Sequence, residues 1–198
     1  MKTAKEETRE KLLQSAMKEF AANGYAKTNI DDISVHAGFG KGTIYNYFPS
    51  KVELFLEVIR RFINNLVSDI NDSIKDINDP IEKFIQVVRV DVQAISSNSD
   101  LFLTIIHESL TADRDRQREF LDASSPLFLL YVQVIDEGIK AGYYNDDTDP
   151  LSSAIMVMAM VENLVTINNL LNDSVGPTED LVQKITTTFI YGMKKRSV

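Results

Sequence analysis

The 198-residue chain has no cysteine, no tryptophan and only two histidines, His36 and His107. Without cysteine, a disulfide framework, a thiol nucleophile and a zinc–thiolate site are excluded. No Glu-x-x-His occurs, so a di-iron site in a helical bundle has no support either. Long hydrophobic runs are scarce. The strongest, Ala154 to Val161, stops at Glu162 and Asn163, so no membrane-spanning segment is expected. The N-terminal MKTAKEETREK lacks the apolar stretch of a secretory signal, and a cytoplasmic protein is the expectation.

What the chain does have is 44% hydrophobic and 25% charged residues, enough for one or two globular domains with real cores. A formal charge of −8 argues, taken whole, against nucleic acid as a partner. Its distribution argues otherwise. Residues 1–60 carry nine Lys/Arg and eight Asp/Glu, whereas residues 61–198 carry twelve and twenty-one. Between Ile33 and Val52 there is no acidic residue, but Lys41 and Lys51 are present.

Apolar residues recur at three- and four-residue spacing almost throughout, without sustained alternation, so the class is all-α. Leu12, Leu13, Ala16, Met17, Phe20 and Ala21 make one stripe, closed by Asn23-Gly24 as a helix stop. A longer stripe runs from Leu54 to Ile74 and predicts a helix over about 50–77, roughly 40 Å long. Prolines punctuate the rest. Pro80, Pro126 and Pro150 follow the cap residues Asp79, Ser125 and Asp149, Pro177 follows Gly176, and Pro49 precedes Ser50. All five are therefore expected at helix beginnings. Helices are predicted near 80–96, 100–111, 126–141, 150–171 and 178–195, with a charged connecting stretch, itself able to form a short helix, at 112–122.

The informative segment is Thr28 to Lys51, TNIDDISVHAGFGKGTIYNYFPSK. Thr28 or Asn29 can cap a short helix, with Asp31 or Asp32 closing a capping box. Ile30, Ile33 and Ala37 would face inward, and Ala37-Gly38 would make a tight turn. A second short helix is predicted over about Lys41 to Phe48, packed through Ile44, Tyr45 and Phe48. Two short helices joined by a glycine turn beside a longer amphipathic helix is helix-turn-helix geometry, spanning about 29–48. The polar face of the second helix carries Lys41, Gly42, Thr43, Asn46 and Tyr47. Small residues let the backbone approach a groove, Thr and Asn can read base edges, and Lys and Tyr suit phosphate oxygens. Lys51, at the next helix start, is expected to clamp a phosphate, and Thr28 and Asn29 to hold a flanking one. The rival reading of these glycines as a phosphate loop fails, because Gly42 separates Lys41 from Thr43 and position 43 is not glycine.

An ordered set of residues here resembles the TetR (tetracycline-repressor) family of transcriptional regulators. It comprises Phe20, Gly24, Thr28, Ile33, Ala37-Gly38, Gly42 through Phe48, Ser50-Lys51 and Leu54-Phe55. The resemblance covers about the first 60 residues. It implies a three-helix helix-turn-helix head (1–49), a connecting helix (50–77) and a helical ligand-binding and dimerisation body (78–198). It also implies that Lys41, Gly42, Thr43 and Tyr47 face bases or groove, while Tyr45, Asn46 and Lys51 contact phosphates. Two positions depart from the family pattern. Ser34 stands where alanine is usual, a change packing should absorb, and Gly40 replaces a serine that often caps the second helix.

After residue 60 no catalytic constellation emerges. His107-Glu108 is a lone pair, Asp146, Asp147 and Asp149 lack the spacing of a calcium loop, and Lys194-Lys195-Arg196 complement a helix end. No metal or cofactor is expected, and no enzyme. The run Ala154 to Val161 is apolar all round and must be covered. The resemblance implies a homodimer through the helices near 150–171 and 178–195, which suits half-sites on a pseudo-palindromic operator in double-stranded DNA. A small-molecule effector would meet an apolar lining, for which Phe84, Val88, Phe102, Ile106, Phe128, Tyr131, Met156 and Met160 are candidates. Asn163, Gln133 and Arg89 are possible polar hooks. The function read from the sequence is a TetR-like regulator, a repressor released from its operator by a largely apolar ligand. The alternatives are a helical protein-interaction module and a small-molecule-binding enzyme.

Overall fold

The computed structural model describes residues 3–172 and 178–193, and among them helices build the core, joined by one short 3-10 segment and by buried Tyr144 at an isolated bridge position. The order is α1 (Ala4–Lys27), α2 (Ile30–His36), a 3-10 turn (Thr43–Asn46), α3 (Lys51–Ile74), α4 (Pro80–Ser97), α5 (Ser99–Thr111), α6 (Arg114–Lys140), α7 (Pro150–Asn172) and α8 (Thr178–Met193). The all-α expectation holds.

Side chains at the helix starts explain most boundaries. Thr3 and Glu6 form a reciprocal capping box at the start of α1. Ser50 Oγ accepts from the Glu53 amide at 3.1 Å, Asp79 from Ile81 and Glu82, and Asp149 from Ser152, so these three caps stand where the prolines placed them. Gly24, at φ +71°, breaks α1 near its end, as the Asn23-Gly24 stop implies.

One expectation needs correction. Pro126 does not open a helix: α6 starts at Arg114, capped by Asp113, and runs through the proline. Proline removes one backbone donor, but Phe120, Ala123, Leu127 and Leu130 keep helical spacing on a buried face to either side, which outweighs the lost bond. The helical character expected for the charged stretch 112–122 holds from Arg114 on, where it forms the beginning of α6 and not a separate connecting piece. In α7, Pro150–Leu170 has mean hydropathy 1.5 and is, by length and composition alone, apolar enough to cross a membrane, a test that the core helix of a soluble protein also passes. Ala154, Val157, Val161 and Val165 are buried, while Leu151, Ile155, Met156 and Ile167 face outward. The expectations for Pro177 and Lys194-Lys195-Arg196 lie outside the described residues.

The chain forms two compact units. One comprises Met1–Phe62 with Asp100–Ser124, the other Ile63–Ser99 with Ser125–Val198. Helices α3 and α6 each contribute to both. In the first unit Phe55 meets Phe20 edge-on at 4.9 Å and Phe120 at 6.0 Å, with Tyr25 at 5.0 Å. Thr104 of α5 also donates to the Phe20 carbonyl. In the second unit α4 packs on α7 and α8, and Phe84 stacks on Phe189 at 5.4 Å.

Phe55 is buried at the meeting of three aromatic rings, so Phe55→Ala should cost about 3–5 kcal/mol in chemical denaturation. Leu121→Ala, at a position 69% exposed, should change stability by less than about 0.5 kcal/mol.

Candidate functional site

The segment after α1 folds around three buried anchors, Ile33, Ile44 and Phe48. Asn29 is the cap of α2: its side-chain oxygen accepts from the Asp31 amide at 3.0 Å. Ser15 of α1 ties the two helices together by donating to the Ile33 carbonyl at 3.0 Å. His36 Nδ1 meets Glu19 Oε1 at 2.6 Å, a second tie between the same helices.

The link from α2 to the 3-10 turn depends on glycine. Gly38 and Gly42 sit at φ +85° and +81°, a region that residues with a Cβ rarely adopt. Gly42 is the cap of the 3-10 turn and offers no side-chain acceptor. The second element is thus shorter and tighter than the helix predicted over Lys41 to Phe48. Left-handed Gly42 delays its start, and the bonds from Tyr47 and Phe48 to the Ile44 carbonyl close it. The two departures from the family pattern turn out to be linked. Buried Ser34 donates its hydroxyl to the Gly40 carbonyl at 2.7 Å, so it fastens the turn rather than merely filling space.

On the surface of this motif Lys41, Asn46 and Tyr45 (52% exposed) face solvent, with Gly42, Thr43 and Tyr47 half-buried beside them. Asn29 is exposed at the start of α2. Two other nominated residues are used internally. Thr28 is buried, and its hydroxyl donates to the Gly24 carbonyl at 2.7 Å, with the Glu19 carbonyl at 3.1 Å, closing the end of α1. Lys51 Nζ donates to the Ala26 carbonyl and lies 4.6 Å above the Tyr25 ring. Burial holds its ammonium below the ordinary lysine range, opposed by the charge of Glu108. Arg9, which sequence reasoning passed over, packs its guanidinium 5.0 Å from the Phe48 ring and pairs with Glu57. Burial pushes the Glu57 carboxyl up, but hydrogen bonds from Arg9 and Arg60 outweigh it and hold it below its usual value.

The nominated effector lining divides between the two units. Phe102 and Ile106 belong to the first, while Phe84, Val88, Phe128, Tyr131, Met156, Met160 and Asn163 belong to the second. Phe84, Val88 and Tyr131 are fully buried, and Phe128 and Met160 half-buried. Met156 is 54% exposed, and Asn163 is exposed with its amide spent on the Ala159 carbonyl, so neither faces the interior of the unit. Arg89 makes two hydrogen bonds to Glu179, and Gln133 donates to Glu137, which also binds Lys83 at 2.8 Å. A cavity of about 280 Å³ lies beside this last trio, reaching Asn71 and Lys75, and none of the nominated apolar residues lines it.

Sequence reading also missed the most unusual polar group. Asp91 of α4 is buried, and Tyr131 donates to its Oδ2 at 2.7 Å. Burial pushes the carboxyl up to about 7, the Tyr131 bond opposes this, and Glu162 of α7 adds to the rise. Tyr131 is itself raised well above its ordinary value by burial and by Asp91. An acid on the apolar face of α4 was the visible signal, since Asp91 falls between Val88 and Val92.

A capped positioning helix, a glycine turn and a short, exposed, acid-free second element define a helix-turn-helix DNA-binding protein. Known proteins agree. Residues 12–58 match the model described as bacterial regulatory proteins, tetR family, and residues 59–192 match that of the YsiA-like protein C-terminal region. The chain belongs to the TetR family and is a helix-turn-helix transcriptional regulator. It is 22% identical to the uncharacterised HTH-type transcriptional regulator YdgC of Bacillus subtilis, over 98% of this chain and 96% of that one. It is 28% identical to the HTH-type transcriptional repressor KstR2 of Mycobacterium tuberculosis, over 71% of each. The crystal structure of the regulator FadR from Bacillus subtilis in complex with stearoyl-CoA superimposes with TM-score 0.84 at 18% identity, covering 93% of this chain and 98% of that one. These relatives are named as transcriptional regulators.

Asp91 also sets a pH dependence. In the unfolded chain it ionises near 3.8, in the folded chain at about 7. Between these values the folded state keeps a proton that the unfolded state has lost, so this group's contribution to stability falls as pH rises through that window. Asp91→Asn should therefore raise the melting temperature at pH 8, and the gain should shrink toward pH 5.

Proposed function

We propose that this regulator is a dimeric repressor that leaves a pseudo-palindromic operator when a small, largely apolar ligand binds its second unit. The observation that carries the DNA half is the exposed set Lys41, Tyr45 and Asn46 around left-handed Gly42, in a window free of carboxylates. In this reading Lys41, Gly42, Thr43 and Tyr47 approach the groove, and Tyr45, Asn46 and Asn29 hold phosphates. Lys51 adds positive potential at the start of α3, while Thr28 acts only by shaping the head. Residues 1–49 form the DNA-binding part, 50–77 the connection and 78–198 the ligand-binding and dimerising part.

The dimer half is supported by the outward apolar face of α7, Leu151, Ile155 and Met156, and by exposed Tyr191 on α8. Such a face is covered most simply by its own copy across a twofold axis. The stearoyl-CoA bound by a protein of the same fold supports a long apolar effector. Helices α3 and α6 run through both units, which offers a path by which ligand binding alters the spacing of two heads. The protein acts in the cytoplasm, where operator and acyl metabolites are found together.

Enrichment of random DNA by the purified protein at stated salt should yield one inverted repeat, and failure to enrich any palindrome overturns the reading. On that operator, Lys41→Ala should weaken binding and lower the slope of log affinity against log salt by about one. Adding stearoyl-CoA should lower operator affinity, and unchanged affinity with every ligand that binds would remove the effector half.

A further inference from the structure

The second unit contains an acid that its surroundings leave incompletely satisfied. Asp91 is 2% exposed; one carboxylate oxygen, Oδ2, takes the Tyr131 hydroxyl, and the other, Oδ1, has no hydrogen-bond partner among the described residues. The charged group that acts on both Asp91 and Tyr131 is another acid, half-buried Glu162 from α7. Arg89, two residues away on α4, is committed to Glu179 and Gln86. Buried carboxylates elsewhere in proteins are paired with a cation or saturated with donors, and an apolar side chain would serve packing better. Asp91 and Tyr131 thus join α4 to α6, with Glu162 of α7 near enough to act on both, at a place short of one donor and, once Asp91 ionises, of one positive charge.

We propose that Asp91 and Tyr131, flanked by Glu162, form the polar subsite of the effector site and receive the protonated nitrogen of an otherwise apolar amine. The inference rests on the reading that the second unit binds an apolar effector. An ammonium supplies both things the cluster lacks: a positive charge between two acids, and N–H donors for Asp91 Oδ1 and Glu162. Tyr131 holds Oδ2 and so fixes the orientation of the carboxylate. A neutral hydroxyl of the same chain length can satisfy Oδ1 but not the charge. A carboxylate can do neither and is repelled by both acids. A bound ammonium lowers the raised ionisation range of Asp91, so that the carboxyl ionises and its proton passes to solvent.

Octylamine, octanol and octanoate, matched in length, test this by calorimetric titration of the full-length protein. Octylamine should bind about tenfold tighter than octanol, with octanoate weakest, and Asp91→Asn should bring octylamine within about twofold of octanol. Glu162→Gln should reduce the same preference and carries the test if Asp91→Asn does not fold. Octanoate binding as tightly as octylamine, or a preference untouched by both substitutions, overturns the proposal. Operator binding, followed by fluorescence anisotropy in the same samples, separates the two readings. If stearoyl-CoA releases operator while none of the C8 probes binds, the amine subsite is wrong and the effector-released repressor stands. If octylamine binds through Asp91 but no ligand changes operator affinity, the subsite stands and the effector-released repressor is wrong.

Discussion

The DNA-facing part of this protein depends on one contact set, the packing of Phe55 against Phe20, Tyr25 and Phe120. A helix-turn-helix of this size has two short elements, α2 and a single 3-10 turn, neither of which has enough internal hydrogen bonds to persist alone. Their order comes from what lies beneath them. Phe20 and Tyr25 bring the end of α1 onto α3, and the broken turn at Gly24 then directs the chain into α2. Tyr25 also supplies the ring under Lys51, so the same aromatic group sets the core and holds a cation at the start of α3. Because Phe120 joins this cluster, the beginning of α6 belongs with the head and not with the helices that follow it in sequence.

Above that cluster, the head separates shape from charge. Ile33, Ile44 and Phe48 fix the backbone, while hydroxyls of Ser15, Thr28 and Ser34 tie down carbonyls at Ile33, Gly24 and Gly40. None of these bonds uses the side chains that face outward. Lys41, Tyr45 and Asn46 remain available for a partner, and their number is small. Few exposed cations near the turn and a strongly acidic chain overall mean weak general attraction to DNA, so discrimination falls to geometry. A net charge of −8 is compatible with DNA recognition because residues 61–198 bear it, while residues 1–60, which hold the helix-turn-helix, are close to neutral.

Much of this was legible in the sequence. Helical period, the Ser50, Asp79 and Asp149 caps, the Asn23-Gly24 stop and the glycine turn each have local causes, and local causes survive folding. The capping box of Thr3 and Glu6 was equally readable from its spacing. What escaped depends on partners distant in the chain. Pro126 resembled a helix start because a proline after serine is one, yet buried residues on both sides carry α6 through it. Thr28 and Lys51 looked like phosphate ligands by position, but carbonyls at Gly24 and Ala26 lay within their reach. The Tyr131 contact that makes Asp91 notable spans forty residues, and no spacing rule joins them.

The two units therefore use polar groups in opposite ways. In the head, every buried hydroxyl named above is satisfied by a backbone carbonyl, and the result is rigidity with a small exposed reading surface. In the second unit, a buried acid is left half-satisfied with another acid acting on it, which weakens the fold as pH rises toward and past neutrality. A regulator needs both. A reading surface must hold its shape between binding events, whereas a sensing unit responds only if its unliganded state is poised away from its best packing. Differential affinity between two states has to be stored somewhere in the fold. Among the described residues, the Asp91–Tyr131 pair combines deep burial, an acid and an unpartnered carboxylate oxygen, and it is placed on α4 and α6 where Glu162 of α7 acts on it. Satisfying that pair would change the balance of forces among three helices, one of which, α6, continues into the unit that carries the head.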